Sequence, residues 1–145
     1  MKALFYTREF PPYVYGGAGV HVEYLAAELA KLMKVDVRCF GDQDESAPNL
    51  NVKGFPYDNP TFKDADGKLK AVFQTLSTCL EMNSEPVDAD VVHCHTWYAH
   101  FAGIVAKLWH PFGYNHAFLR AFKTLETRTI GQRLRCLFMD RKNSY

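Results

Sequence analysis

The chain has 145 residues and a formal net charge of +1, with 48% hydrophobic, 23% charged and 14% aromatic residues. That length fits one domain and argues against a large two-domain enzyme, and the composition supports a packed core rather than a disordered or fibrous chain. No apolar run approaches the roughly 18 residues of a membrane helix, and Met1-Lys2 leads straight into a strand-like segment without a signal-peptide core, so the expected location is the cytoplasm.

Lys2 to Tyr6 reads as a first strand, followed by a Pro- and Gly-rich connection from Phe10 to Gly19. From Val20 to Met33 the apolar positions Val22, Leu25, Ala26, Leu29, Leu32 and Met33 recur at helical spacing, which predicts a helix packing one face on a sheet. Val35 to Phe40 reads as a second strand, Gly41 to Asn51 as a polar, turn-rich connection, and Val52 to Tyr57 as a third strand. Asp58 to Gly67 is loop-like. Lys68 to Met82 predicts a second helix whose apolar face carries Leu69, Val72, Phe73, Leu76 and Leu80. Asp88 to His95 reads as a buried strand ending in histidines, and Trp97 to Leu108 as a third helix with Phe101, Ile104, Val105 and Leu108 on one side. This alternation implies an α/β fold: an open parallel Rossmann-like sheet with helices on both faces and ligands at the carboxyl ends of the strands.

The loop after the first strand contains Tyr15-Gly16-Gly17-Ala18-Gly19 and opens a helix, so main-chain amides and the positive end of the helix dipole face the crevice, as in phosphate sites. Glycine there permits close approach of a diphosphate and also permits positive φ. Spacing alone leaves a tight turn without ligand equally open. The pattern departs from GxGxxG and no acid ends the second strand, which argues against a nicotinamide cofactor. His93 and His95, two apart on a strand, share a face with Cys94 on the other. Hydrogen-bonded core histidines are the ordinary reading and stand ahead of a metal site, while His95 alone, at the strand end, is placed to donate to a polar ligand beside the apolar wall of Trp97. Glu9 on the same rim reads either as an acceptor for sugar hydroxyls or as a solvated loop carboxylate. Cys39, Cys79, Cys94 and Cys136 form no CxxC pair, so free thiols and neither a zinc site nor a disulfide framework are expected.

Taken together, Thr7-Arg8-Glu9-Phe10-Pro11-Pro12, Tyr15-Gly16-Gly17-Ala18-Gly19-Val20-His21-Val22 and Asp90-Val91-Val92-His93-Cys94-His95-Thr96-Trp97 resemble the amino-terminal domain of glycogen and starch synthases, over residues 1–108. The resemblance implies the amino-terminal half of a GT-B architecture, two facing Rossmann domains that transfer glucose from a nucleotide sugar to an α-1,4-glucan with retention. It implies that Gly16, Gly17 and His95 meet the donor and that Glu9 and Trp97 meet the acceptor glucan. It assigns no catalytic residue, metal or bound cofactor here. Val14 stands where the bacterial ADP-glucose enzymes usually carry a lysine, so the cation that would meet the diphosphate is absent, and the Tyr-Gly-Gly-Ala-Gly signature is similar to a related branch whose donor choice is less settled; ADP-glucose is thus only favoured over UDP-glucose. Most donor contacts in that family belong to a second domain, so a chain lacking that half is expected to be inactive alone. A non-catalytic carbohydrate-binding module and another retaining GT-B hexosyltransferase are the alternatives.

Beyond Leu108 the resemblance stops. Residues 110–145 carry seven Lys or Arg against two acids, while residues 1–109 carry ten against fourteen, and all eleven valines lie before the break. The codons of Trp109-His110 and of Met139-Asp140, moved one base forward, must encode glycine and tryptophan, and the intervening codons permit the family's continuation. The expectation is therefore a frameshifted, non-homologous basic tail over 109–145, able to form a basic helix between roughly Ala117 and Met139 but without specific affinity for nucleic acid or membrane.

Overall fold

The computed structural model describes residues 1–58 and 60–109, with Trp109 described by its backbone alone. The basic tail and its expected helix lie outside the described residues. In chain order the elements are β1 (Lys2–Tyr6), α1 (Gly17–Ala30), β2 (Lys34–Phe40), β3 (Asp44–Ala47), β4 (Leu50–Phe55), a single 3-10 turn at Pro60–Phe62, α2 (Gly67–Glu81), β5 (Val91–Cys94) and α3 (Thr96–Trp109). The five strands form one sheet in the order β3-β4-β2-β1-β5. β1 pairs in parallel with both β2 and β5, and β2 pairs in parallel with β4. Only β3 runs antiparallel, on the edge beside β4. The chain leaves β1 through α1 toward β2 on one side, and returns through α2 to β5 on the other. The carboxyl end of β1 is therefore the point where the winding direction reverses and a crevice opens.

Alternation along β1 divides the interior in two. Leu4 and Tyr6 join Phe40, Phe55, Cys79, Met82, Val92, Ala99, Ala102 and Ala106 beneath α2 and α3. Ala3 and Phe5 join Phe10, Val22, Ala26, Ala30, Val35, Val37, Cys39 and Val52 beneath α1. The sheet is thus covered by helices on both faces, as the alternation of strands and helices predicts.

Two buried polar groups fasten α2. Asn83 accepts from the Tyr6 hydroxyl at 2.8 Å and donates to the carbonyls of Cys79 and Ala102 at 2.9 and 3.0 Å. The Arg38 guanidinium donates to the carbonyls of Met82, Glu85 and Pro86 just past the helix end. A cation is favoured at that end, where carbonyls lack amide partners. Burial pushes the Tyr6 hydroxyl well above its ordinary pKa, so it stays a donor.

Several sequence expectations need correction. Gly41 to Asn51 is not merely a connection, because it holds β3; its residues are all exposed there, so the strand carries no hydrophobic alternation by which to be recognised. The first helix starts at Gly17 rather than Val20 and ends at Ala30, which leaves Leu32 80% exposed beyond it. α2 turns the other way from its expected face: it buries Gln74, Thr75, Thr78 and Cys79, and Leu69, Val72, Phe73 and Leu80 are exposed. The hydroxyl of Thr78 explains part of that choice, since it donates to Pro56 O and Gln74 O and so enters the interior satisfied. α3 likewise packs through Ala99, Ala102, Val105 and Ala106 and leaves Ile104 and Leu108 exposed.

Candidate functional site

The carboxyl ends of β1 and β5 carry the residues singled out from sequence. Gly16 is the N-cap of α1, and no side chain caps the helix. Its φ of −163° is ordinary extended backbone, and among the described glycines only Gly41 has positive φ, so conformational freedom is not the reason for glycine at 16 and 17. Nor is crowding by the protein: a Cβ built at Gly16 or Gly17 meets nothing within 4 Å. Gly19 differs, since a Cβ there would fall 2.9 Å from both Glu9 Cβ and Val14 Cγ1.

Glu9 is turned onto the loop. Its Oε2 accepts from the amides of Tyr15 at 3.1 Å and Gly16 at 3.0 Å, so these two amides are already engaged by a carboxylate. The loop therefore behaves as an anion cradle even toward the protein's own side chain. Open space lies over Gly16 and Gly17 at the helix start.

His95 follows β5, and its amide donates to Tyr6 O at 2.8 Å. The imidazole is buried, with Nε2 lacking any hydrogen-bond partner among the described residues. It lies 4.0 Å from the His93 ring, 5.3 Å from Phe5 and 6.0 Å from His21, which projects from α1. Desolvation, then the neighbouring imidazoles, pushes the His95 pKa down to about 3; desolvation and His21 push His93 down to about 4. Both are therefore neutral near pH 7, and a neutral imidazole can donate one hydrogen bond without carrying charge. Among the described residues no group of three or more His, Cys, Asp or Glu is arranged to hold a metal ion.

Sequence reasoning missed Thr96. It has φ of +65°, a conformation costly for a β-branched residue, and its Oγ1, like His95 Nε2, is buried without a hydrogen-bond partner among the described residues. No sequence signal marks that strain. It also missed His21, whose position in the first turns of α1 after the glycine loop could have suggested it, and Arg8, one residue before Glu9. Trp97 is 59% exposed and stacks on Tyr98 at 3.9 Å, so it presents an apolar plate at the rim. The structure thus gathers Glu9, Gly16, Gly17 and His95 around the strand ends where β1 meets α1, and sets Trp97 at the start of α3.

A mostly parallel sheet wound both ways from β1, with a glycine loop and a buried histidine at its carboxyl rim, is a Rossmann-like α/β fold, consistent with the amino-terminal domain of a GT-B architecture. Residues 15–132 match Glycosyltransferase Family 4, and the chain belongs to that family. The alpha-maltose-1-phosphate synthase of Mycolicibacterium smegmatis is 43% identical over 108 residues, covering 74% of this chain and 25% of the relative. The protein of the same name from Mycobacterium tuberculosis H37Rv shows the same identity and coverage. An uncharacterized glycosyltransferase of Methanocaldococcus jannaschii is 31% identical over 113 residues, covering 74% of this chain and 28% of that relative. The chain thus spans about a quarter of the length of the curated relatives it matches.

Proposed function

We propose that the described residues form the acceptor-side wall of a retaining glucosyltransferase that takes glucose from a nucleotide sugar, ADP-glucose ahead of UDP-glucose, in the cytoplasm. The observation that carries this reading is the open ground over Gly16 and Gly17 on the same strand rim as the unpartnered Nε2 of His95. Helix-start amides suit the donor's diphosphate, and a neutral buried imidazole suits a sugar hydroxyl, which carries no charge to offset an imidazolium. Glu9 steadies the loop through Oε2 and keeps Oε1 for a sugar hydroxyl, and Trp97 supplies an apolar face for a sugar ring. In the transfer, the bond from glucose C1 to the diphosphate breaks and its electron pair leaves with the nucleoside diphosphate. A bond from C1 to an acceptor hydroxyl oxygen forms, and the hydroxyl proton passes to solvent.

The motif resemblance supports an α-1,4-glucan as acceptor. A second reading is favoured by the name of the mycobacterial relatives: adding one glucose to α-glucose 1-phosphate gives a maltose 1-phosphate, so a phosphorylated monosaccharide is the alternative acceptor. A non-catalytic carbohydrate-binding role would use the same Glu9, His95 and Trp97.

Transfer belongs to the whole relatives, of which this chain spans 25%, so binding is what the chain itself is tested for. Calorimetric titration of the 145-residue chain is expected to show ADP-glucose binding, more tightly than UDP-glucose and weakened by His95→Ala. Absence of binding by either nucleotide sugar overturns the reading, and co-sedimentation with glycogen without nucleotide-sugar binding favours the non-catalytic module.

A further inference from the structure

The fold turns the apolar stripe of α2 outward. Leu69, Val72, Phe73 and Leu80 are exposed and Leu76 is half-buried, while the other side of the helix buries Thr75, Thr78 and Cys79. Leu69, Phe73, Leu76 and Leu80 follow one another at spacings of four, three and four residues, the alternation by which two helices interlock side by side. Phe62, from the 3-10 turn before the helix, stacks on Phe73 at 5.6 Å and widens the stripe at its middle. A contiguous row of this kind, on a helix whose other face is already packed, is a contact surface rather than scattered apolar exposure.

The charges beside the stripe indicate what covers it. Lys70 directly follows Leu69, and Glu81 directly follows Leu80. Eleven residues separate Leu69 from Leu80 and Lys70 from Glu81, close to three full helical turns, so the two charges lie on one flank at opposite ends of the helix. Asp66, at the amino-terminal end, is turned onto the Lys68 amide as the helix cap. A second α2 laid antiparallel, with Leu69 against the other copy's Leu80, also sets Phe73 against the other copy's Leu76 and brings each Lys70 beside the other copy's Glu81. A parallel arrangement would instead bring Lys70 to Lys70 and Glu81 to Glu81. Stripe and charges are therefore self-complementary about one twofold axis, the condition for an isologous contact.

We infer that the exposed face of α2 is a docking surface for a second copy of this chain, α2 against α2 antiparallel, giving a twofold dimer. The contact is independent of the glucosyl-transfer reading. α1 and its glycine loop pack on the other face of the sheet, so the dimer leaves that loop uncovered.

The test is sedimentation equilibrium of the full 145-residue chain, from micromolar to submillimolar concentration. A reversible monomer–dimer equilibrium is expected, with no larger species, because an isologous contact closes on itself. Leu69→Glu is expected to weaken the dimer by more than about tenfold, since each copy then carries a carboxylate into the apolar stripe. Lys70→Glu and Glu81→Lys are each expected to weaken it about tenfold, by exchanging two unlike-charge contacts for two like ones. Mixed in equal amounts, the Lys70→Glu and Glu81→Lys chains are expected to pair with each other at about wild-type strength, because unlike charges then meet at both ends. Dilute, monomeric samples of the variants are expected to unfold at the wild-type urea concentration, which separates lost pairing from lost folding. The charge variants and their mixture keep the test decisive if Leu69→Glu does not fold. A chain that stays monomeric over the whole range overturns the inference, as does association that runs beyond dimers or that Leu69→Glu leaves intact. Charge variants that weaken the dimer but fail to restore it when mixed overturn the antiparallel arrangement.

Discussion

A methyl group added at Gly19 would press into Glu9 and Val14, whereas one added at Gly17 would enter empty space. The two glycines are therefore separable by experiment. Gly17→Ala lowers the backbone entropy of the unfolded chain at the first residue of α1 and is expected to raise stability by about 0.5–1 kcal/mol. The same methyl group stands where the donor's diphosphate is proposed to lie, so affinity for ADP-glucose is expected to fall. Urea midpoints and calorimetry on the same variant check the pair, and a variant that is stabilised but binds unchanged removes the proposed donor position. The histidines make a second prediction. Their folded pKa values, about 3 and about 4, lie below the ordinary 6.5, so the unfolded chain takes up protons first. Stability is then complete above pH ~6.5 and declines as pH falls toward 4, by on the order of a few kcal/mol for the two rings together. Denaturant midpoints measured between pH 7 and 4.5 should show that decline, and His93→Asn should flatten it.

At the scale of elements, the helices test what periodicity can and cannot reveal. β1, β2 and the three helices are legible because apolar runs rich in strand formers and 3.6-residue spacing mark them, and the glycine loop and histidine strand end are legible because their residue types are unusual at those places. The facing of α2 is not. Its apolar stripe, Leu69 to Leu80, is the more hydrophobic side, yet the face turned inward carries Thr75 and Thr78, whose hydroxyls find carbonyl partners, and Gln74, whose amide donates to the Asp58 carboxylate. Alanines in α3 were overlooked for a related reason: a small side chain carries little hydrophobicity, but it sets how closely a helix can approach a sheet. Leu80→Gln is accordingly expected to change stability by no more than about 0.5 kcal/mol, since Leu80 is 53% exposed. Met82→Ala, in a fully buried position one residue past α2, is expected to cost about 2–5 kcal/mol. Equal losses in the two variants, measured by denaturant unfolding, would show that α2 faces the sheet as periodicity alone suggests. β3 and the strained Thr96 could not be foreseen, because an exposed edge strand has no buried face and a left-handed threonine leaves no compositional trace.

Across the whole molecule, β1 is bonded on both sides and covered on both faces, whereas β3 pairs on one side only and is exposed throughout. Amide exchange is therefore expected to be slowest at Leu4, Phe5 and Tyr6 and much faster at Glu45 and Ser46. Comparable rates in the two strands would show that the sheet does not open from its β3 edge inward. At the carboxyl end of this most protected strand neighbouring residues part: Arg8 turns toward Tyr57 and Tyr98, Glu9 toward the loop before α1. A rigid strand holding two adjacent side chains for opposite faces keeps both in register without a moving part.

The pairing of β1 with β5 also bears on synthesis. Lys2 exchanges hydrogen bonds with Asp90, its amide reaching the carboxylate at 2.9 Å and its carbonyl receiving the Asp90 amide at 2.8 Å. On the ribosome β1 must therefore wait, with one strand edge unsatisfied, until a partner some 88 positions later has been translated. During that interval an apolar, half-paired strand is open to chaperones and to misassociation, so the very strand that is most secure in the finished protein is the most vulnerable while it is being made.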